Sequence, residues 1–152
     1  MTVRLQYDLT GTGWAKCEVE IDGHHAVATA SYLSDALDEL CRAVVAVLRG
    51  EPSASASFEE EPGEYRWHLA RTAPGRLRVQ LRWFDDQYPP RPDVEGRVVF
   101  DAECRLRTFA GTLLSELQRL HRTYGEAGYQ DRWVEHEFPT KRVTQLTELL
   151  GP

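Results

Sequence analysis

Alternation of apolar and polar residues in seven short segments is the feature that most limits how this chain folds. Successive side chains of a β-strand point to opposite faces, so such alternation predicts strands with one face in a core. The segment AKCEVEID at 15–22 alternates without a break and is followed by Gly23. Asp22-Gly23 is a strong hairpin signal, because both residues tolerate a positive φ. Tight turns of this kind join antiparallel strands.

Three other segments have the helical period. Apolar residues recur three and four positions apart in 34–48, in 108–124 and in 143–150. Ser34 is a good N-cap for the first of these helices, and Gly125 is the type of residue that ends the second. The stretch GYQDRWVEHEFP at 128–139 is rich in aromatic residues and has no clear period, so it is predicted to be irregular.

The resulting element order is three strands, a helix, four strands and then helices. A chain of 152 residues is long enough to bury its own core as one domain. The sequence therefore predicts a single α+β domain over residues 1–152. Its two layers are an antiparallel sheet of about seven strands and the helices, which pack on one face of that sheet.

Composition and charge exclude several classes of partner. The chain has 18 Lys and Arg residues against 24 Asp and Glu residues, and its formal net charge is −6. An acidic chain without a basic stripe is a poor candidate for binding nucleic acid. No apolar run approaches the roughly 18 residues that span a bilayer, and the first residues lack the layout of a signal peptide. We expect a cytoplasmic protein that binds neither nucleic acid nor membranes.

Metal, cofactor and catalytic motifs are not recognisable in the sequence. Cys17, Cys41 and Cys104 are widely spaced and fall on predicted core faces, which is typical of buried reduced thiols. His24 and His25 are consecutive in a strand and point to opposite faces, so they are not expected to bind the same metal ion. The sequence has no phosphate loop, nucleophile elbow or dinucleotide fingerprint. We assign no catalytic residue, no metal site and no cofactor.

One acidic turn stands out. The stretch FEEEPGEYRW at 58–67 places Pro62 and Gly63 at the two central positions of a turn between strands, with carboxylates on both sides. The predicted side chains all reach water, and a hairpin tip lets them splay, which disfavours a metal site. Two interpretations remain open: a solvated tip, and an acidic edge that binds a partner. The candidate partner-binding residues are Glu59, Glu60, Glu61 and Glu64.

Aromatic residues suggest an alternative site. Tyr65 and Trp67 share one strand face, and Trp83 lies in the next predicted strand. These three side chains are candidates for lining a pocket between the sheet and the helices. The competing interpretation is that the C-terminal segment folds over these rings and covers them.

Four stretches carry a resemblance to known proteins: YLSDALDELCRAVVAVL, FEEEPGEYRWHL, LRWFDD and YGEAGYQDRWVEHEFP. Together they resemble a group of small bacterial proteins of unknown function. Some proteins of this small, acidic build are similar to immunity proteins that neutralise bacterial toxins. The resemblance implies a protein-binding role and transfers no catalytic residue, because none of the four stretches is a catalytic motif.

Two hypotheses about function follow. The first is a non-enzymatic interaction module, of the kind that inhibits a basic protein partner, with the acidic turn as its binding edge. The second is a small-molecule-binding protein or an unrecognised enzyme with an aromatic pocket. An open sheet also leaves two edge strands, so a homodimer is predicted at even odds with a monomer.

Overall fold

Two antiparallel sheets contain the strands of the computed structural model, which describes residues 2–86, 91–134 and 136–151. The three-stranded sheet has the order β1 (Val3–Gly11), β2 (Trp14–Ile21) and β3 (His24–Ser31). The four-stranded sheet has the order β4 (Ser53–Glu59), β5 (Glu64–Ala73), β6 (Arg76–Phe84) and β7 (Arg97–Arg105). The helices are α1 (Ala36–Leu48), α2 (Leu106–Trp133) and α3 (Thr140–Leu150), and a short 3-10 turn spans Asp93–Glu95.

The predicted α+β fold with seven antiparallel strands is confirmed, but the strands form two sheets where the sequence predicted one. Strand β3 crosses the four-stranded sheet instead of pairing with β4. At its end, Ser31 Oγ donates a hydrogen bond to the carbonyl of Glu59 at 3.0 Å. At its start, His24 and His25 line a small cavity with residues 98–101 of β7. The inner faces of both sheets contribute to the same core.

The hairpin between β2 and β3 forms as its sequence predicts. Asp22 and Gly23 have φ values of 48° and 88°, and Ile21 pairs with His24 across the turn. The alternation in β2 also holds, because Cys17 and Val19 are buried while the intervening residues are partly exposed. Alternation thus places each side chain on the expected face.

Helix α1 buries the apolar face that its period predicts, including Leu37, Leu40 and Val44. The predicted N-cap is wrong: Asp35 precedes the helix, and no side chain caps it. The Ser34 hydroxyl instead accepts a hydrogen bond from the backbone N–H of Glu59, at 3.1 Å. This hydrogen bond holds Ser34, just before the start of α1, against the end of β4.

Helix α2 contains a kink at Gly125, after which the helix continues. Gly125 has φ 69° and ψ 171°, so the chain leaves helical geometry at the predicted residue. The prediction of an irregular stretch after it is wrong as far as Trp133, because the helix resumes. Tyr129 and Trp133, four positions apart, are both fully buried, and this burial selects helix for a segment too short to show a period. None of the described helices is long and apolar enough to cross a membrane.

Two side chains of α2 bind the backbone of an edge strand. The Glu116 carboxylate accepts a hydrogen bond from the Tyr7 N–H at 2.6 Å. Arg119 donates to the Tyr7 carbonyl at 2.7 Å and to Glu116 at 2.7 Å. Strand β1 has no strand neighbour on this side. We call this arrangement of Glu116, Arg119 and the Tyr7 backbone the edge clasp.

Replacing Glu116 with Ala should lower the free energy of unfolding by about 2 kcal/mol, because it leaves the buried Tyr7 N–H without its acceptor and removes a carboxylate partner of Arg119. Glu103→Ala is the matched control, since Glu103 is an exposed partner of Arg76 at 3.2 Å. That change should cost under about 0.5 kcal/mol. Urea unfolding of both variants measures the difference. Equal costs would mean that the edge clasp contributes no more than a surface ion pair.

Candidate functional site

The acidic turn joins β4 to β5, with Phe58 opposite Tyr65 and Glu59 opposite Glu64. The Glu60 N–H donates to the Gly63 carbonyl at 2.7 Å. This bond makes Glu61 and Pro62 the central residues of the turn, one position earlier than predicted. Gly63 therefore belongs to the end of the turn and is buried.

Position 63 has room only for glycine, because the turn lies directly against β6. A Cβ atom built on Gly63 would lie 2.2 Å from the Trp83 ring and 2.8 Å from the Phe84 carbonyl oxygen. Both contacts are far shorter than van der Waals distances, and one of them is to backbone that cannot rotate away. The sequence predicted a glycine at a central position of the turn, but the close approach of the chain to β6 is what requires glycine at position 63.

The four predicted carboxylates differ in exposure. Glu61 is exposed, and Glu59 and Glu60 are half-buried. Glu64 is only 8% exposed, so the prediction that all four side chains reach water is wrong for this residue. Because the turn bends toward β6, the four carboxylates are not equally exposed to solvent. Their assignment to a partner-binding site stays a prediction.

Glu64 is neutralised within the protein. Both nitrogens of the Arg66 side chain that face it donate to its carboxylate at 3.1 Å, and the Ser57 hydroxyl donates at 2.8 Å. Arg66 also pairs with Asp93 at 2.8 Å. Arg66 thereby links Glu64 to Asp93, which lies in the segment that follows β6. By contrast, burial raises the pKa of Glu59, and the nearby Glu64 charge raises that pKa further.

The three aromatic residues of the alternative site lie on the inner face of the four-stranded sheet. Trp67 is fully buried and meets Phe58 edge-on, with 5.6 Å between ring centroids. Tyr65 and Trp83 are half-buried and pack on each other, with centroids 4.7 Å apart. Trp67 therefore belongs to the core, and the pocket lined by Tyr65, Trp67 and Trp83 stays a prediction.

Three chain segments meet beside the acidic turn. Gly13, in the turn between β1 and β2, donates its N–H to the carbonyl of Arg132 at the end of α2, at 2.7 Å. Its own carbonyl accepts from the N–H of Tyr32, after β3, at 2.9 Å. Gly13 has φ +77°, and a Cβ there would lie 2.9 Å from the Tyr32 ring. Only glycine satisfies both the backbone conformation and this contact.

The junction exposes apolar side chains. Trp14 is 40% exposed, Leu33 is 47% exposed and Val134 is 44% exposed. Each of them lies within two residues of the hydrogen bonds that join the three segments. We call these three residues the junction patch. Leu33 and Val134 were not predicted as site residues, because nothing in the local sequence shows that their segments meet.

The junction patch and the acidic turn are neighbours. Ser31 and Ser34, on either side of Leu33, both bond the backbone of Glu59, at 3.0 and 3.1 Å. The end of β4 is thereby attached to the turn that carries Leu33. The carboxylates of the acidic turn and the apolar patch consequently lie at the same end of the molecule.

A cleft of about 700 Å³ opens on the other side of the turn that follows β3. His136 Nε2 lies 3.1 Å from the Tyr32 carbonyl, so this nitrogen carries the hydrogen that it donates. Nδ1 of the same ring is 3.8 Å from the Asp35 carboxylate. Burial raises the pKa of Asp35, and the attraction of His136 opposes the rise. The ionisable residues that line the cleft are Asp35, Asp38, Glu126, His136, Glu137 and Lys141.

The His136 contacts are those of a tether. An imidazole whose Nε2 is bound to a backbone carbonyl holds the segment after α2 against the turn after β3. Its remaining nitrogen faces Asp35 at a distance longer than a hydrogen bond. Among residues 2–86, 91–134 and 136–151, no three His, Cys, Asp or Glu side chains are grouped so that they could hold a metal ion.

Comparisons with known proteins give one informative match. No protein-family model matches the chain, and no curated protein matches it in sequence. The fold is similar to a chain of a solved structure titled "CdiA-CT/CdiI toxin and immunity complex from Enterobacter cloacae". The match covers 77% of this chain and 99% of that chain, with a TM-score of 0.51 and 10% identity. The resemblance to toxin–immunity proteins is thereby confirmed for the fold.

Replacing Gly63 with Ala should destabilise the protein by about 2 kcal/mol or more, because the added methyl group forces the turn away from β6. Gly11→Ala is the control, since a Cβ on Gly11 meets nothing within 4 Å and Gly11 has no positive φ. Its effect should stay within about 0.5 kcal/mol. Thermal unfolding compares the two. A Gly63 variant as stable as the control would show that the turn does not pack against Trp83.

Proposed function

We propose that this protein is a non-enzymatic interaction module of the immunity type, which binds and inhibits a basic protein partner. The observation that carries the proposal is the position of the acidic turn beside the junction patch, at one end of the molecule. The similarity of fold to a toxin and immunity complex supports it. The proposal also places the protein in the cytoplasm.

The distribution of charge favours the acidic turn as the binding edge. On the outer face of the four-stranded sheet, arginines and carboxylates neutralise each other. Arg78 binds Asp101 at 2.7 Å, and Arg76 binds Glu103 at 3.2 Å. Paired charges of this kind produce little long-range field, whereas consecutive carboxylates at a turn produce a negative one. Such a field speeds the encounter with a positively charged partner and is screened by salt.

Glu60 and Glu61 are the residues to change, because they belong to the turn itself, whereas Glu59 and Glu64 are the last residue of β4 and the first of β5. Replacing both with Gln should leave the fold intact. We expect association with the partner to slow about fivefold at low salt, with a smaller effect at high salt, because steering is electrostatic. Stopped-flow measurement with the partner, isolated by affinity capture from the source cell and identified, gives the rate.

The control is the double change Glu51→Gln and Glu148→Gln, which alters net charge equally at exposed positions away from the turn. Association of this variant should be nearly unchanged. Equal slowing of both variants would mean that only net charge matters. Unchanged kinetics of the Glu60 and Glu61 variant at low salt, or the absence of any basic protein among those captured, would overturn the proposal.

Neither the position of the acidic turn nor the similarity of fold supports the predicted homodimer, which stays a prediction. A dimer formed through a sheet edge would leave the acidic turn free to bind a partner. Its presence or absence therefore does not bear on the proposed inhibitory role.

A further inference from the structure

We propose that the junction patch is the apolar centre of a docking surface for a basic protein partner, with the acidic turn as part of its charged rim. This inference rests on the proposed function and adds the surface through which that function operates. It commits to a partner whose contact region combines arginine or lysine side chains with an apolar side chain.

Exposed apolar side chains are concentrated at this place. Within the described residues, the large hydrophobic side chains with high exposure are Trp14, Leu33, Val94, Val98 and Val134. Three of the five come from distant parts of the chain, and each lies within two residues of the backbone hydrogen bonds that join Gly13 to Tyr32 and Arg132. Exposed apolar residues that occur singly need no explanation, but a group with a polar rim marks an interaction site. Trp is also the residue type most enriched at energetic centres of interfaces.

Val134 is presented to solvent in an unfavourable backbone conformation. It follows the last residue of α2 and has φ 79°. Glycine or asparagine is the usual residue at this place, because a β-branched residue at positive φ is strained. A chain optimised only for stability would use one of those residues. The apolar side chain at position 134 thus fits a surface that contacts something outside the chain.

The carboxylates of the acidic turn, beside the junction patch, favour a basic partner. Glu59 is attached through its backbone to both sides of the turn that carries Leu33, and Glu61 is exposed at the tip of the same hairpin. Arg132, two residues before Val134, has its guanidinium over the Tyr124 ring at 5.2 Å.

The same rim argues against a second copy as the occupant. A twofold dimer sets the same patch of one subunit against that of the other. Two copies would bring their acidic rims together, and like charges across an interface cost affinity. A partner with arginine or lysine around an apolar side chain satisfies both the patch and the rim.

A short synthetic peptide with tryptophan residues between arginines provides a defined probe of this chemistry. Titration into isotope-labelled protein should shift the amide resonances of Leu33 and Val134 and the indole resonance of Trp14. Trp14→Ser and Leu33→Ser should each weaken binding about tenfold, as expected for a residue at the centre of an interface. Val94→Ser, a change at an 81% exposed valine, should leave affinity unchanged.

Two control peptides separate the possible outcomes. A peptide with serine in place of tryptophan tests charge alone, and one with glutamate in place of arginine tests apolar contact alone. Equal binding of the first control, with shifts at the acidic turn only, would overturn the docking patch and leave the proposed function standing. The absence of binding by every arginine peptide would overturn both. A concentration-dependent dimer that Trp14→Ser abolishes would assign the patch to a second copy and overturn this inference.

Discussion

The edge clasp fixes α2 on the three-stranded sheet, and the position of every later element follows from it. Glu116 is a buried carboxylate, and a buried charge is costly unless it is paired and hydrogen-bonded. Arg119 supplies the opposite charge, and the Tyr7 N–H supplies a backbone donor. The hydrogen bond with Glu116 raises the pKa of the Arg119 guanidinium well above its ordinary value. From this point, α2 carries Tyr129 and Trp133 into the core and Arg132 to Gly13.

A second helix protects the four-stranded sheet in a similar way. The carboxylate of Glu39 in α1 accepts a hydrogen bond from the N–H of Ser57 in β4 at 3.1 Å. Burial raises the pKa of Glu39, and the bond from Ser57 opposes the rise. One outer strand of each sheet is therefore bound by a helix carboxylate. An unprotected edge strand is a template for pairing with another chain, so a dimer through a sheet edge would have to use β3 or β7.

Local features of the fold could be predicted from the sequence, whereas its long-range contacts could not. The alternation around Cys17, the turn at Asp22 and Gly23, and the buried face of α1 all depend on neighbours in the chain. The division into two sheets does not, because a period of two says which face is apolar and not which strands pair. Glu64 was placed correctly next to a turn, but its burial depends on Arg66 and on a segment that follows β6. The junction patch depends on three segments that meet only in the folded chain.

Hydrogen exchange of the Tyr7 amide tests most directly whether the edge clasp organises the fold. An edge-strand N–H that faces solvent exchanges almost as fast as an unfolded peptide, whereas one bonded in the core exchanges only on global unfolding. The account predicts that the Tyr7 amide is as protected as the amide of Val19, in the central strand of the same sheet. Exchange of the Tyr7 amide at the rate of an unprotected edge, with Val19 still protected, would contradict it.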